Sequence, residues 1–129
     1  MILKMLQGKI HRATVTQANI QYEGSITIDG DLLDAAGFLE YEAVQIWNVS
    51  NGARLETYTM RGAAGSGVIC VNGAAAHLVS PGDLVIIAAF RRYTAEEAVR
   101  HRPNLVFVDN QNCIREIRDE IPGPRFAMG

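Results

Sequence analysis

Asn51-Gly52 stands between two runs of alternating polar and apolar residues, 43–50 and 53–60. A two-residue loop of this composition favours a type I′ turn, in which both central residues need positive φ and whose twist matches the strands it joins. The sequence therefore predicts an antiparallel hairpin with Ser50 opposite Ala53, Val49 opposite Arg54, Trp47 opposite Glu56 and Gln45 opposite Tyr58. Opposed residues share a sheet face. Arg54, Tyr58 and Trp47 then project from one side, and Leu55, Ile46, Val44 and Thr57 from the other.

Similar punctuation recurs along the chain. Residues 9–16 are alternating and β-branched, and residues 25–28 resume that pattern after Gly24. Asp31 reads as a helix N-cap, Leu32, Leu33, Ala35 and Ala36 as an apolar turn, and Gly37 as its left-handed end. A glycine-rich loop over 62–67 leads to a strand at 68–71, and Asn72-Gly73 turns the chain into Ala74-Ala75-Ala76-His77. Pro81-Gly82-Asp83 opens an unbroken apolar run over 84–90, which predicts a strand buried on both faces. Thr94-Ala95-Glu96-Glu97 forms a capping box for a second short helix that ends before Pro103. Residues 105–108 give the last strand, and residues 119–129, with Pro122, Gly123 and Pro124, read as a mobile tail. Six or seven short strands with two small helices make a mainly β chain, folded as one compact barrel domain over 1–129.

Composition narrows the function classes. The 129 residues are 48% hydrophobic, enough for one modest core, and the net charge of −2 comes with no basic run to neutralise phosphates. Nucleic acid is not expected as a partner. No apolar stretch reaches the roughly 18 residues of a membrane span, and the opening Met-Ile-Leu-Lys-Met lacks signal-peptide organisation, so a cytoplasmic protein is expected. Cys70 and Cys113 lack metal-binding spacing and read as reduced, buried thiols. His11, His77 and His101 show no ligand spacing either, and no metal is expected.

Tyr22-Glu23-Gly24-Ser25 carries unusual chemical potential between two strand-like runs. Glycine leaves its carbonyl uncrowded, and the Ser25 hydroxyl is placed to attack it in an N-to-O acyl shift. Elimination from the resulting ester would release Gly24 as a new C-terminus and leave dehydroalanine, which loses ammonia to water and becomes a pyruvoyl group. The same dipeptide is also a common loop element. The Arg54, Tyr58 and Trp47 face is similarly open to two readings. It supplies a carboxylate clamp, an acid and an apolar wall for a small molecule, or it is a solvated strand face with an extended arginine.

Together, the pieces Met5-Leu6-Gln7-Gly8-Lys9-Ile10-His11-Arg12, Tyr22-Glu23-Gly24-Ser25, Trp47-Asn48-Val49-Ser50-Asn51-Gly52, Thr57-Tyr58, Val71-Asn72-Gly73-Ala74-Ala75-Ala76-His77 and Gly82-Asp83 closely resemble the pyruvoyl-dependent aspartate 1-decarboxylases of bacteria. The resemblance is collinear from Met1 to about Asn104 and carries nothing over to the remaining residues. It implies a double-psi β-barrel, a homotetramer with active sites at subunit interfaces, and cleavage between Gly24 and Ser25 into chains 1–24 and 25–129. The implied reaction converts L-aspartate to β-alanine and carbon dioxide for pantothenate synthesis, through an imine with the pyruvoyl group derived from Ser25.

The resemblance also implies residue roles. Arg54 would bind a substrate carboxylate, with Lys9 as helper. The side-chain carboxylate is preferred, since clamping the departing one would stabilise the ground state over the transition state. Tyr58 would give a proton to the carbon that loses carbon dioxide, a task suited to a phenol because phenols ordinarily stay protonated at neutral pH. Trp47 and Ile86 would supply less polar surroundings. Gly73, Ala74 and Ala75 would bind substrate through the backbone, with a plain tight turn as the other reading. Asn72 and Thr57 would serve processing, Thr57 by polarising the Gly24 carbonyl, and Thr57 would also take part in substrate binding. Since Thr57 points away from Arg54 in the hairpin, either a bulge rotates it or two protomers share the site. His11 and Tyr22 match positions near the site, as support or direct contact. An accessory maturation protein, a different small amino acid as substrate, and a non-enzymatic barrel with intact Gly24-Ser25 remain open alternatives.

Overall fold

The protein is seen in a computed structural model that describes residues 1–124. The described residues form nine strands: β1 (Ile2–Thr14), β2 (Gln17–Asn19), β3 (Ser25–Asp29), β4 (Ala43–Asn48), β5 (Arg54–Gly62), β6 (Ile69–Asn72), β7 (Leu84–Thr94), β8 (Asn104–Val108) and β9 (Ile114–Ile117). Two α-helices, α1 (Gly30–Ala36) and α2 (Ala95–Arg100), and a 3-10 helix at Gly73–Leu78 complete the elements. The chain is a small mainly β barrel. Its strands run β2-β6-β3-β5-β4-β7-β1-β8-β9, and the ladder does not close on itself. The strand count exceeds the expected six or seven because β2 and β9 are short edge strands. β9, Ile-Arg-Glu-Ile, is exposed throughout and carries the charges that edge strands commonly bear. The portion of the expected tail from residue 125 onward lies outside the described residues.

The core lies inside the curled sheet, where Ile10, Ile26, Ile46, Ile69, Ile87 and Val106 are fully buried. Burying each such side chain favours folding by about 1.5–3 kcal/mol, before its entropy loss is counted. The apolar run in β7 is buried or half-buried from Leu84 to Phe90, as its continuous hydrophobicity predicts.

The hairpin forms with a different turn. Its ladder pairs Trp47 with Arg54, Gln45 with Glu56 and Ala43 with Tyr58, two residues away from the expected register. Asn48 N donates to Ala53 O at 2.8 Å and Gly52 N to Asn48 O at 2.8 Å, which closes a four-residue loop over 49–52. Gly52 has φ of +81°, but Asn51 does not share the positive φ that a type I′ turn requires. The Asn48 side chain selects the longer loop: its Oδ1 accepts from Ser50 N at 2.9 Å, and its amide donates to Asp83 Oδ2 at 2.9 Å. A shift of two residues preserves alternation. Arg54, Tyr58 and Trp47 therefore still share a face.

Capping follows the sequence with one correction. Asp29, not Asp31, caps α1; its carboxylate accepts from Asp31 N at 2.8 Å and also from Gly65 N and Gly67 N, so the cap ties the glycine-rich loop to the helix. Gly37 ends α1 at φ +75°, and Thr94 and Glu97 form the expected capping box on α2. Cys70 is buried as expected, whereas Cys113 is exposed because it follows the turn at the edge before β9.

Candidate active site

The Gly24–Ser25 peptide lies where the chain enters the sheet. Ser25 is the first residue of β3 and is buried, while Gly24 remains at the surface. In the antiparallel β3–β6 ladder Ser25 stands opposite Asn72. On the other side, the parallel β3–β5 ladder pairs Ile26 with Thr59, and carrying that register back two residues aligns Gly24 with Thr57. Two neighbouring strands thus flank the bond.

Gly73 makes this approach possible. It adopts φ +69°, and a Cβ added there would fall 2.5 Å from Gly24 Cα and 3.2 Å from the Tyr22 carbonyl oxygen. Only glycine permits backbone so close in that conformation. Ala74 and Ala75 continue into the 3-10 helix, with Ala74 exposed and Ala75 packed against the core. The Tyr22 side chain projects into solvent.

Asn72 has partners that sequence reasoning missed. Its Oδ1 accepts from Cys70 Sγ at 3.2 Å, and its amide reaches Thr27 Oγ1 at 3.5 Å. Thr27 and Cys70 are opposed in the ladder, as are Ser25 and Asn72, so these residues line one face beside the Gly24–Ser25 bond. Burial pushes the Cys70 thiol up from its ordinary value and keeps it a donor. The period-two spacing of Cys70 and Asn72 is the sequence signal for this contact.

Arg54, Trp47 and Ile86 form a row across β5, β4 and β7, because Trp47 opposes Arg54 on one side and Ile86 on the other. The Arg54 guanidinium lies over the Trp47 ring at 5.0 Å. Further along the same face of β5, the Tyr58 ring stacks on Tyr41 at 6.2 Å. Thr57 faces the opposite way in a β4–β5 ladder without a register break, so no bulge there turns it toward Arg54. Its neighbour is the start of β3.

Lys9 and His11 flank the core residue Ile10 on β1. The β1–β7 ladder breaks between Ile10 and Ala13, leaving His11 and the positive-φ residue Arg12 against Ile86. The His11 ring meets Phe107 at 5.3 Å. Burial, aided by the charges of Lys9 and Arg12, pushes the His11 pKa below its ordinary value. Lys9 has only 12% of its side chain exposed, and its ammonium contacts Glu120 at 3.0 Å. β5, β4 and β7 stand between β3 and β1 in the sheet. The ladders thus place Tyr22, Ser25, Asn72 and Gly73 beside Gly24 with Thr57 aligned on the next strand, set Arg54, Trp47 and Ile86 in a row across β5, β4 and β7, and leave Lys9 and His11 on β1 with three strands between it and β3.

The sequence is similar to known proteins over nearly its whole length. A family model described as aspartate decarboxylase matches residues 1–115. An aspartate 1-decarboxylase of Legionella pneumophila (strain Lens) is 60% identical over 117 residues, covering 91% of this chain and 88% of the relative. The enzyme of that name from Clostridium beijerinckii is 60% identical over 117 residues, with 91% and 94% covered, and that from Myxococcus xanthus is 56% identical over 122 residues, with 94% of each covered. The flanked Gly24–Ser25 bond and the Arg54–Trp47–Ile86 row are thus features of a chain that belongs to the aspartate decarboxylase family.

Proposed function

We propose that this chain cleaves its own Gly24–Ser25 bond and then decarboxylates L-aspartate at the α-carboxylate, giving β-alanine and carbon dioxide for pantothenate synthesis in the cytoplasm. The observation that carries this reading is the placement of a buried Ser25 opposite Asn72, with Gly73 against Gly24 at a distance only glycine allows. The same feature tests the fit of a pyruvoyl group. A Cβ on Gly73 would fill the space beside the bond, and its absence leaves a cradle in which the backbone at Gly24 and Ser25 can change shape.

When formed, the pyruvoyl group supplies an electrophilic carbonyl for the substrate amine and a sink for the electron pair released with carbon dioxide. Arg54, held over Trp47, binds the substrate's side-chain carboxylate, with Lys9 assisting. Tyr58, on the Arg54 face, donates the proton that replaces the lost carboxylate. Trp47 and Ile86 exclude water from that face. Gly73, Ala74 and Ala75 hold substrate through their backbone, and His11 and Tyr22 support the rim. Thr57 and Asn72 orient the Gly24 carbonyl and Ser25 for processing. The separation of Lys9 and His11 from Ser25 by three strands supports a homotetramer in which a second copy completes each site.

Denaturing mass spectrometry tests the processing step: purified protein should contain fragments 1–24 and 25–129, the latter with a blocked start. Ser25→Ala should remain a single inactive chain. Decarboxylation by that variant would sink the cofactor assignment, and equal turnover of L-glutamate would sink the substrate assignment.

A further inference from the structure

We propose that Glu120 sets the affinity for substrate by competing, as a tethered carboxylate, for the Lys9 ammonium. The inference rests on the assignment of Lys9 to a substrate carboxylate. Lys9 Nζ and Glu120 Oε1 are 3.0 Å apart, although 111 positions separate the residues. The Lys9 side chain is 12% exposed and that of Glu120 60% exposed, so a nearly sheltered cation meets an acid that is free to leave into water.

The segment before Glu120 is held at several points. β9 pairs antiparallel with β8, and Arg118 N donates to Leu105 O at 3.3 Å. Lys9 is paired with that same Leu105 in the β1–β8 ladder. The Arg118 guanidinium lies 3.9 Å from the Phe107 ring centre, and Asp119 pairs with Arg102 at 3.3 Å. These contacts deliver Glu120 to Lys9, so its carboxylate acts at a high local concentration. A carboxylate on an ammonium is also the contact expected of the aspartate side chain. With the Lys9 side chain only 12% exposed and one donor taken by Glu120, a substrate carboxylate must displace Glu120 or share the cation against the repulsion of a second carboxylate. Because an ion pair with one exposed partner is weak, the competition should weaken substrate binding by about twofold to fivefold without abolishing it.

Succinate, a four-carbon dicarboxylate without the amine, isolates the carboxylate contact. Calorimetric titration of the processed protein should show Glu120→Gln binding succinate about twofold to fivefold more tightly than the unaltered protein. The KM for L-aspartate should fall by the same factor while kcat holds. In a Lys9→Gln background, Glu120→Gln should change neither quantity. If Lys9→Gln weakens succinate binding but Glu120→Gln leaves it unaltered, the competition is overturned and the Lys9 assignment stands. Unaltered succinate binding in Lys9→Gln overturns both. An equal gain from Glu120→Gln in the presence and absence of Lys9 overturns the proposed route through Lys9.

Discussion

Cys70 donates its thiol hydrogen to the Asn72 side-chain oxygen at 3.2 Å, and Asn72 stands directly opposite Ser25. This contact fixes which end of the Asn72 amide faces Thr27, two residues along β3 from Ser25. Cys70→Ser keeps a donor at this place and should process normally. Cys70→Val fills similar volume without the donor, and its cleaved fraction at a fixed early time should fall about twofold to tenfold, as loss of one hydrogen bond implies. Denaturing mass spectrometry provides the measure, with thermal unfolding to separate a processing defect from a fold defect.

Gly73 and Gly52 allow a controlled comparison. Both hold positive φ, +69° and +81°, but a Cβ at Gly52 would meet nothing within 4 Å while one at Gly73 would meet Gly24. Alanine at Gly52 should cost only the left-handed backbone penalty, about 1–2 kcal/mol. Alanine at Gly73 should cost more by roughly 1–3 kcal/mol, since the clash is with backbone. Urea unfolding of the two variants measures the difference, and equal losses would show that the Gly24–Gly73 contact relaxes freely.

Arg54 lies over Trp47, so its planar fork is oriented as well as charged. Arg54→Ala should lower kcat/KM for L-aspartate by about tenfold to a hundredfold, the range for a charge-assisted contact. Arg54→Lys should recover only part, because an ammonium does not reproduce the fork. Steady-state kinetics over a range of aspartate concentrations separates these outcomes, and full activity in Arg54→Lys would reduce the residue to a point charge.

His11 makes stability depend on pH. Burial, with Lys9 and Arg12 adding, lowers its folded pKa below that of the unfolded chain. The unfolded state therefore takes up the proton first as pH falls through about 6.5. The His11 contribution is fully present above that pH and is lost between the unfolded and folded values. Urea midpoints should fall between about pH 7.5 and 5.5, and His11→Gln should flatten that part of the profile. An unaltered slope in the variant would assign the effect to another group.

Local chemistry made much of this chain legible. Asn51-Gly52 marked the hairpin, Thr94 and Glu97 their capping box, and the 84–90 run its buried strand. The exact register was not legible, because Asn48 bonds to Ser50 nearby and to Asp83 far along the chain, and the second contact exists only after folding. The face assignments survived since a two-residue shift leaves alternation intact.

Sequence alone determined the mainly β character, the Gly24-Ser25 pair on which the proposed processing rests and the residue types that suit amine and carboxylate chemistry, because each depends on composition, alternation or adjacent atoms. Tertiary structure decided which of them meet. Pairing of β3 with β5 and β6 brings Thr57, Asn72 and Gly73 around the bond, and the last strand carries Glu120 to Lys9. These are contacts between distant segments, set by how the strands pair around one core, and no local period encodes them.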